Sequence, residues 1–579
     1  MRLNLEGWKK DWSLMQQLFT EDEIKKITAR LKKMTIQNVV FCSFENRFAK
    51  SGGLAAVTVN ILSYLKEINN IPQVCLMTPF YSRIINKSKV KKTDRSFSVT
   101  YNGKSVKVEI LKYNWEYTKP TTGTIKEYYL KADGFFESQN RLHDPYIYFE
   151  NEKQQNDEAI TENALFFCKA VPLALKELDI SENTVFHLQE WQTALISLTA
   201  KEAMLNGTLT SCGTVQTMHN PFDSFISWEL LERIIDKKQI QRISQNFTWG
   251  LTAYQIGLLL VDAPVTTVSE NFANEFTSDI LQTEHFAPHL QSIFKKNRVF
   301  GINNGMFISF PSEFSKKKSY TMTELKKIKS EKRKSLLKIL DEYLPKERFG
   351  ELTYKGGSIT KLPDEIPIVV MSGRLDFNQK GYDILLNALK KFAADEIKAI
   401  LTPMPVKQSD LDYFYEIAEE CKGNITVFPI RMEKGFQELQ IGCTYGIMPS
   451  IYEPFGAAVE YMVNGTVNIA RATGGLVDQI EDRKNGILFK EVSGFFNLEN
   501  IKQFSESSDN VHKRKSNNWV QSMVDELYST LIEAIDLYQN HQQNYFKMIT
   551  QGFKKASTFN WDICAKKYFA VFKKVKSGF

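Results

Sequence analysis

The sequence predicts an α/β protein made of two doubly wound domains that face a central cleft. Short apolar runs alternate with helical segments from Val39 to Val268, and after a polar, basic connection the alternation begins again at Ile368. Such alternation favours parallel sheets with helices on both faces. The chain has 579 residues, which is long enough for two or more domains that each have a core.

The predicted strands are short runs that are largely apolar or alternating. In the first half of the chain they lie at 39–41, 74–77, 106–111, 185–188, 213–218 and 265–268. In the second half they lie near Ile368, Ile400, Ile425, Gly446, Val467 and Ile487. Helical segments separate most of these runs, so each half of the chain is expected to form a sheet of its own.

The first residues, up to about Lys33, are predicted to form an amphipathic helical extension. Its apolar residues recur at helical intervals, and they are Leu14, Leu18, Ile24, Ile27 and Leu31. This apolar face either covers the neighbouring domain or binds a partner. The predicted organisation is a helical extension at 1–35, an N-terminal domain at 36–311, a connection at 312–365, a C-terminal domain at 366–545, and a C-terminal helix at 546–579 that packs back across the domains.

Two polar stretches carry weaker signals. Residues 321–340 are basic, with apolar residues at helical spacing and the charges on the other faces, which is typical of a solvated helix. Residues 505–510 and 513–518 have almost no apolar content, so we expect a mobile surface loop there.

Composition excludes several classes of function. A net charge of +7 over this length is mild and scattered, so a nucleic-acid partner is not expected. No apolar run approaches the length of a membrane helix, so no membrane partner is expected. The seven Cys residues show no CxxC spacing, and their odd number without a signal peptide predicts reduced thiols and a cytoplasmic location. The seven His residues form no cluster at metal-ligand spacing, so no metal site is expected.

The most informative stretch of the chain is 453–460, followed by 471–476. Glu453 and Glu460 are seven residues apart, so both side chains would face one side of a helix that began near Pro454. Alone, such a pair is usually structural. Thr473, Gly474 and Gly475, however, follow a predicted strand and precede a helix, an arrangement that lets the backbone approach a phosphate closely.

A pair of cations follows another buried strand. Arg374 and Lys380 come directly after the run that begins at Ile366, at the strand end where open α/β sheets bind ligands. A guanidinium fork and a compact ammonium together suit a pyrophosphate leaving group. In the first domain, Lys50, Gly52 and Gly53 follow the strand at Val39 and open a helix, which predicts a second anion site with its backbone amides facing the cleft.

These segments, in this order, resemble the bacterial glycogen synthases and plant starch synthases, retaining glycosyltransferases of the GT-B fold. Residues 48–57 are similar to the family's Lys-Thr-Gly-Gly-Leu-Ala-Asp-Val loop. Further resemblances lie at 268–269, 301–305, 374–380 and 453–476, and residues 559–568 are similar to the family's terminal helix. The resemblance covers most of the chain and implies a GT-B architecture of two Rossmann-like domains.

The resemblance also implies a role for each candidate residue. Arg374, Lys380, Lys50 and Gly53 would contact the donor's diphosphate, with Gly52 in the same loop. Glu453 would bind the glucosyl hydroxyls, Glu460 the ribose, and residues 473–475 the phosphate region. Transfer would occur by front-face attack, in which the departing phosphate takes the acceptor's proton, so neither a metal nor another cofactor is expected.

The sequence departs from the family pattern mainly in the first domain. Ala56 stands where the family has Asp, and Phe307 where Asp is usual. The stretch 186–193 resembles a His-x-His-Asp-Trp-His segment in which Gln189 replaces the His that contacts the donor sugar. Gln hydrogen-bonds but carries no charge. His219 resembles the family's His at the glucose pocket, whereas His187 is more typical of a core histidine.

The sequence therefore predicts a glucosyltransferase that extends an α-1,4-glucan from ADP-glucose or UDP-glucose, with ADP-glucose favoured by the resemblance. A GT-B transferase with another acceptor is one alternative. A non-catalytic glucan-binding or regulatory homologue is the other, because of Ala56, Gln189 and Gln192. The oligomeric state and the donor base remain open at this point.

Overall fold

The computed structural model describes most of the chain at the level of single side chains. The described residues are 3–6, 8–81, 89–136, 156–246, 249–315, 319–342, 355–356, 362–393, 395–405, 408–421, 425–427, 432, 434–506 and 511–577.

The strands are β1 Asn38–Cys42, β2 Gln73–Pro79, β3 Lys91–Tyr101, β4 Lys104–Tyr117, β5 Gly123–Ala132, β6 Thr184–Gln189, β7 Cys212–Met218, β8 Phe225–Ser227, β9 Gly250–Thr252, β10 Thr266–Thr267, β11 Phe300–Gly301, β12 Lys355–Gly356, β13 Ile368–Leu375, β14 Lys398–Pro405, β15 Ile425–Val427, β16 Tyr445–Met448, β17 Val467–Arg471 and β18 Gly486–Phe489.

The α-helices are α1 Ser13–Leu18, α2 Glu21–Lys33, α3 Gly53–Ile68, α4 Asn156–Glu177, α5 Trp191–Ala194, α6 Ile196–Leu205, α7 Trp228–Leu231, α8 Lys237–Ile243, α9 Ala253–Leu260, α10 Glu270–Ser278, α11 Gln291–Lys296, α12 Ser312–Ser315, α13 Met322–Glu342, α14 Tyr382–Leu389, α15 Gln408–Glu419, α16 Phe436–Gly442, α17 Ala458–Val463, α18 Gly475–Gln479, α19 Leu498–Glu506, α20 Val511–Arg514, α21 Asn518–Asn540, α22 Gln542–Ala556 and α23 Trp561–Ser577.

The chain divides into two compact units. The first comprises Met1–Gly305 together with Asn560–Phe579, and the second comprises Met306–Phe559. Residues 546–579, expected as one helix, form the end of α22 and all of α23 instead. Just after α22, the hydroxyl groups of Ser557 and Thr558 donate to carbonyls of its last turns. The Asn560 side chain then accepts the backbone N–H of Asp562 at the start of α23.

The sheet of the first unit has nine strands in the order β11-β10-β7-β6-β1-β2-β5-β4-β3. Seven of them, from β11 to β5, are parallel to their neighbours, as the alternating pattern predicts. One edge departs from the predicted parallel pairing, because β3, β4 and β5 pair antiparallel. The long β3 and β4 alternate exposed and inward residues, because this edge is open to solvent on one side.

The N-terminal extension forms α1 and α2, and its apolar face covers the first unit. Leu14, Leu18, Ile27 and Leu31 are fully buried, and the two helices pack on α6, α8, α9 and α23 of the same unit. Thr20 and Glu23 form a reciprocal capping box that starts α2. Of the two alternatives for this face, covering the domain is the one that the structure bears out.

A buried ionic cluster fastens the same extension. The Lys10 Nζ donates to Asp262 at 2.5 Å and to the carbonyls of Leu260 and Val261, which end α9. Lys201 binds the other carboxylate oxygen of Asp262 at 3.1 Å. Burial lowers the pKa of Lys10 to about 8, and the two lysines hold the pKa of Asp262 below its usual value against the effect of burial.

The sheet of the second unit has seven strands in the order β12-β15-β14-β13-β16-β17-β18. All pairs are parallel except β12 with β15. The core strands β13, β16 and β17 are buried along most of their length and consist mainly of apolar residues, as expected for strands that are covered on both faces.

The basic stretch before this sheet forms α13, but two of its charges are not solvated as predicted. Lys329 and Arg333 are buried and donate to the carbonyls of Ile441 and Gly442 in the last turn of α16. The carbonyls of a helix's last turn lack partners within the helix and carry partial negative charge, so they attract cations. Burial lowers the pKa of Lys329 to about 7.

The prediction of a mobile loop is wrong for residues 513–518. Residues 507–510 lie outside the described residues. Arg514 ends α20 and is buried, with two bonds to the Asp383 carboxylate at 2.8 and 3.2 Å. Asn517 caps α21 by accepting two backbone N–H groups. The hydrophilic sequence around Arg514 thus gives no indication that this side chain is buried and paired.

We expect Arg514→Met to destabilise the second unit by about 3 kcal/mol or more, because it leaves the Asp383 carboxylate buried without its cation. The matched control is the adjacent Lys515→Met, since Lys515 is partly exposed and lies 3.7 Å from Glu416. That change is expected to cost less than about 1 kcal/mol. Thermal unfolding of both variants is the measurement, and equal effects would contradict the assignment.

Candidate functional site

The carboxyl edge of the second sheet gathers most of the residues that the sequence singles out. Arg374 is the last residue but one of β13, and Glu453 follows the parallel neighbour β16. Glu453 is not on a helix, because α17 begins at Ala458, so the predicted shared helical face of Glu453 and Glu460 is wrong. A tight turn at Gly456, which has a φ of +89°, separates Glu453 from the helix.

Lys380 and Glu453 form an ion pair at this edge. The Lys380 Nζ lies 2.6 Å from the Glu453 Oε2, and the Ser450 hydroxyl donates to the same oxygen at 3.1 Å. The Glu453 side chain is almost fully buried, whereas the Lys380 side chain is 24% exposed. The ammonium thus keeps an open side on which a second anion can bind.

Arg374, near the end of β13, bonds to the residue before Lys380. Its Nη2 donates to the Gln379 Oε1 at 2.7 Å, and Asp376 lies 3.9 Å away. The backbone N–H of Ile451 donates to the Gln379 carbonyl at 2.8 Å, which ties the loop after β13 to the loop after β16. The Arg374 side chain is 30% exposed.

Two glycines press against the backbone of Glu453. The Gly475 N–H donates to the Glu453 carbonyl at 2.8 Å. A Cβ at Gly474, where φ is +50°, would lie 1.8 Å from that carbonyl oxygen. Thr473 is buried just before them. Only glycine therefore permits this approach, which brings the start of α18 to the turn that carries Glu453.

A buried ion pair supports the same turn from below. Arg471 binds the Glu491 carboxylate through two bonds of 2.7 Å and donates to the Ile451 carbonyl at 2.8 Å. Its neighbour Glu491 is held at a pKa below its usual value, against burial, by the guanidinium. Arg471 is thus a positioning residue for the Ile451–Glu453 turn.

Glu460 lies in the first turn of α17, close enough to Lys380 for the two charges to interact. Burial of its carboxyl group raises its pKa to about 7, and the Lys380 charge opposes that shift. Among the described residues its carboxylate has no hydrogen-bond partner in the structure. A carboxylate without a hydrogen-bond partner is suited to accept hydrogen bonds from hydroxyl groups of a ligand.

In the first unit, the turn before α3 is built differently from the prediction. The Glu45 carboxylate accepts the backbone N–H groups of Ser51, Gly52 and Ala55 at 3.1, 2.8 and 3.1 Å. The expectation that this turn offers these amides to an anion is therefore wrong. Lys50 is exposed, and a Cβ at Gly53 would meet nothing within 4 Å, so these two positions stay open.

Gln189 and His219 meet at the carboxyl ends of β6 and β7. The His219 Nε2 and the Gln189 Oε1 lie 2.8 Å apart, and the Nε2 of Gln189 is buried with no hydrogen-bond partner in the structure. Burial lowers the pKa of His219 to about 3, so the imidazole is neutral at physiological pH. Because Gln189 offers an oxygen, the facing Nε2 of His219 carries the proton.

Glu190, next to Gln189, has a backbone φ of +62°, which is strained for a residue with a side chain. Tyr254 and Asn220 donate to its carboxyl oxygens at 2.9 and 3.0 Å. Burial, and to a smaller extent the Glu45 charge, raises the pKa of Glu190 to about 8. The Glu45 turn and the Gln189–His219 pair are thus neighbours.

His187 belongs to the core, as its sequence context indicates. Its ring packs against Phe41, Tyr568 and Phe572, and its Nε2 lies 2.8 Å from the Thr217 hydroxyl. Burial lowers its pKa to about 3.

Comparisons with known proteins agree with this arrangement. A family model described as the starch synthase catalytic domain matches residues 38–295, and one described as glycosyl transferases group 1 matches residues 358–518. The glycogen synthase of Petrotoga mobilis is 24% identical over 92% of this chain and 98% of its own length. The glycogen synthase of Thermosipho africanus is 25% identical over 91% and 96%.

The chain belongs to the glycogen synthase and starch synthase family. The catalytic domain of starch synthase IV from Arabidopsis thaliana, solved with ADP and acarbose, superposes with a TM-score of 0.68 at 18% identity over 94% of this chain and 100% of that one. This likeness confirms the predicted α/β class and the GT-B fold. Members of the family are retaining GT-B glycosyltransferases.

In each unit, several residues that contact the candidate site residues carry no recognisable signal in the sequence. Glu45, Gln379, Ser450 and Tyr254 act through side-chain bonds to segments far away in sequence, or through turns whose shape the sequence does not indicate. Glu190 is visible only as the replacement of the family's Asp. No spacing rule connects any of them to the motifs.

No group of three or more His, Cys, Asp or Glu side chains suited to a metal ion is found among the residues that the structure describes. Over the same part of the chain, no helix is long and apolar enough to span a membrane. We predict from the sequence that this protein needs no metal or cofactor, and this stays a prediction.

We expect Gly474→Ala to lower the melting temperature by about 5 °C, because the strained backbone and the displaced Glu453 carbonyl together cost on the order of 2 kcal/mol. Gly494→Ala is the matched control, since a Cβ there meets nothing within 4 Å. Differential scanning calorimetry compares the two, and a neutral Gly474→Ala would show that the close approach is not needed.

Glu460→Gln is expected to stabilise the protein at pH 8 but not at pH 4.5. The folded-state pKa of Glu460, about 7, lies above its usual value of 4.5, so ionisation between these values destabilises the fold as pH rises. Gln removes this loss, and the gain in melting temperature at pH 8 should be on the order of 2–4 °C.

Melting curves of the parent and the variant across pH 4.5–8 test this. Glu499→Gln, at an exposed position of α19, controls for the change of net charge. A Glu460→Gln gain that is the same at every pH would contradict the role of ionisation.

Proposed function

We propose that this protein transfers glucose from a nucleotide-diphosphate glucose, with ADP-glucose favoured, to the end of an α-1,4-glucan with retention of configuration. The observation that carries the proposal is the convergence of Arg374, Lys380 and Glu453 with the Gly474–Gly475 turn at one sheet edge. Family membership supports the same class of reaction, and the relatives that support it are named glycogen synthases.

The charges at this edge suit a donor that leaves as a diphosphate. The Lys380 and Arg374 side chains are 24% and 30% exposed, so an incoming anion can approach both cations from solvent. As the bond between the anomeric carbon and the phosphate oxygen breaks, its electron pair goes to the diphosphate. Fixed cations stabilise that developing charge, which is where electrostatic catalysis is strongest.

The acceptor hydroxyl then bonds to the anomeric carbon on the face that the diphosphate leaves. Its proton passes to the departing phosphate oxygen, so the reaction balances without a separate base. In this scheme Glu453 holds glucosyl hydroxyls, Glu460 holds the ribose, and Thr473, Gly474 and Gly475 contact the phosphate region. No metal or organic cofactor is assigned a step.

For the first unit, we propose that Lys50 and Gly53 contact the diphosphate and that Gln189 and His219 contact the glucose. A neutral His219 that donates to Gln189 offers the pocket a polar edge without a charge. We assign Gly52 a structural part in the loop, because its N–H is bonded to Glu45. We further propose a cytoplasmic location, consistent with seven buried, unpaired cysteines.

The test is the transfer of labelled glucose from ADP-glucose and, separately, UDP-glucose onto glycogen. We expect transfer from ADP-glucose to exceed that from UDP-glucose. Lys380→Ala and Glu453→Gln should each lower kcat by about 100-fold or more, since each removes a group that stabilises charge or orients the donor. Lys390→Ala, a lysine on the surface of the same unit that pairs with Glu420, is the matched control and should keep full activity.

Absence of glucan growth from either donor, with folded protein, would refute the proposal. If the donor then raises the melting temperature without turnover, the protein is a non-catalytic binder. If the donor is hydrolysed without glucan growth, the acceptor is of another class.

A further inference from the structure

Arg514 bonds to the loop that carries Lys380 at more points than its ion pair with Asp383 requires. Its Nη1 donates to the Asn378 Oδ1 at 3.0 Å, and its Nη2 donates to the Phe377 carbonyl at 3.0 Å. With the two bonds to the Asp383 carboxylate, four of its five N–H groups are directed at this one segment. The Arg514 side chain is 1% exposed, so water does not compete for these donors.

The acceptors lie on both sides of Lys380 in the chain. Phe377 and Asn378 come shortly before it, between the end of β13 and the start of α14, and Asp383 lies in the first turn of α14. One planar side chain therefore fixes the chain on either side of the residue that carries the ammonium. A guanidinium suits this task, because its donors point in fixed directions.

The loop between β13 and α14 is also closed by its own bonds. The Lys380 N–H donates to the Asp376 carbonyl at 2.7 Å, and the Gln379 N–H donates to the Asp376 Oδ1 at 3.1 Å. These two bonds make residues 376–380 a single closed turn. A shift of Asn378 would therefore carry the Lys380 backbone with it.

Arg514 is itself fixed by the packing around it. Its carbonyl accepts the Asn517 N–H at 3.1 Å, and the Asn517 side chain donates to the Asn500 carbonyl at 2.8 Å. The guanidinium carbon lies 4.6 Å from the ring centre of Phe504, which is buried. A guanidinium that lies over an aromatic ring and is bonded through four N–H groups has little freedom to move.

The Phe504 ring also connects this arginine to the segment that carries the other half of the Lys380–Glu453 ion pair. It packs edge-on against Trp519, with the ring centres 5.2 Å apart, and Arg471 lies over the Trp519 ring at 5.6 Å. Arg471 in turn bonds to the turn that carries Glu453. Each of the two charged side chains thus stands on a segment that is bonded to an arginine, and both arginines pack on the same pair of buried rings.

We propose that Arg514 is a positioning residue for Lys380 and holds its ammonium where the leaving diphosphate develops its charge. This role deepens the proposed function and rests on it for the part that Lys380 plays. Arg514 acts through the loop and does not touch the donor. Its loss should therefore slow the chemical step and leave the binding of the glucan unchanged.

Arg514→Lys and Asn378→Ala test this role without leaving the Asp383 carboxylate unpaired. Lysine keeps the charge beside Asp383 but does not span the three acceptors, and Ala removes one acceptor from the loop. We expect each variant to lower kcat for transfer from ADP-glucose to glycogen by about tenfold, with the KM for glycogen unchanged. Arg483→Lys and Asn544→Ala, at surface positions of the same unit, are the matched controls and should keep full activity.

The sharpest measurement combines Asn378→Ala with Lys380→Ala. If Asn378 acts through Lys380, its substitution has no further effect on kcat once the ammonium is absent, so the double variant should equal Lys380→Ala alone. A loss by the same factor in both backgrounds would show a merely structural effect and overturn the proposal. Full activity of Arg514→Lys and of Asn378→Ala would overturn it as well.

Binding of ADP, measured by titration calorimetry, separates this proposal from the transferase proposal. ADP carries the charge that Lys380 would stabilise, so Asn378→Ala should weaken its binding by about tenfold. A parent protein that shows this difference but transfers no glucose would refute the transferase proposal and support the positioning role. A protein that extends glycogen, with kcat and ADP affinity unaffected by the substitution, would do the reverse, and one that neither binds ADP nor transfers glucose would refute both.

Discussion

The close approach of two backbone segments at Glu453 fixes the geometry of the second unit's site. The chain at Gly474 runs so near the Glu453 carbonyl that no side chain fits between them. That contact brings the start of α18 to the turn that carries Glu453, whose carboxylate binds Lys380. Arg471 and Gln379 hold the intervening turn from two further directions through its backbone. The charged groups therefore stand on a frame whose dimensions are set by main-chain contacts.

In the first unit, several polar groups lie close together at the carboxyl ends of the central strands. Glu190 is buried, and burial, with a smaller contribution from the nearby Glu45 charge, raises its pKa to about 8. Backbone amides, Tyr254 and Asn220 satisfy the carboxyl oxygens. The unpaired Nε2 of Gln189 and the strained backbone of Glu190 remain at the same spot. Such unresolved costs collect at functional sites.

Most strands and the order of the site motifs could be predicted from the sequence, because buried parallel strands are apolar runs and ligand turns follow them. The antiparallel edge β3–β5 was only partly visible, since its long strands alternate weakly and carry many lysines. Arg514 and Lys329 were misassigned as solvated, because a single buried cation changes no periodicity when its partners are distant carbonyls or one distant Asp. The start of α17 was misplaced because Pro454 suits a first turn, whereas Gly456 delays the helix.

The ionic cluster of Lys10, Asp262 and Lys201 changes what counts as the first domain. The family model begins at residue 38, yet Lys10 lies before it and its ammonium reaches the end of α9. Both α1 and α2 contribute side chains that are fully enclosed by the unit. Residue 38 is thus where the family match begins and not where the folded unit begins. A protein trimmed to the length of the family model would expose an apolar surface and lose one of the two counterions of a buried carboxylate. In this chain, the folded unit therefore begins earlier than the segment that matches the family model.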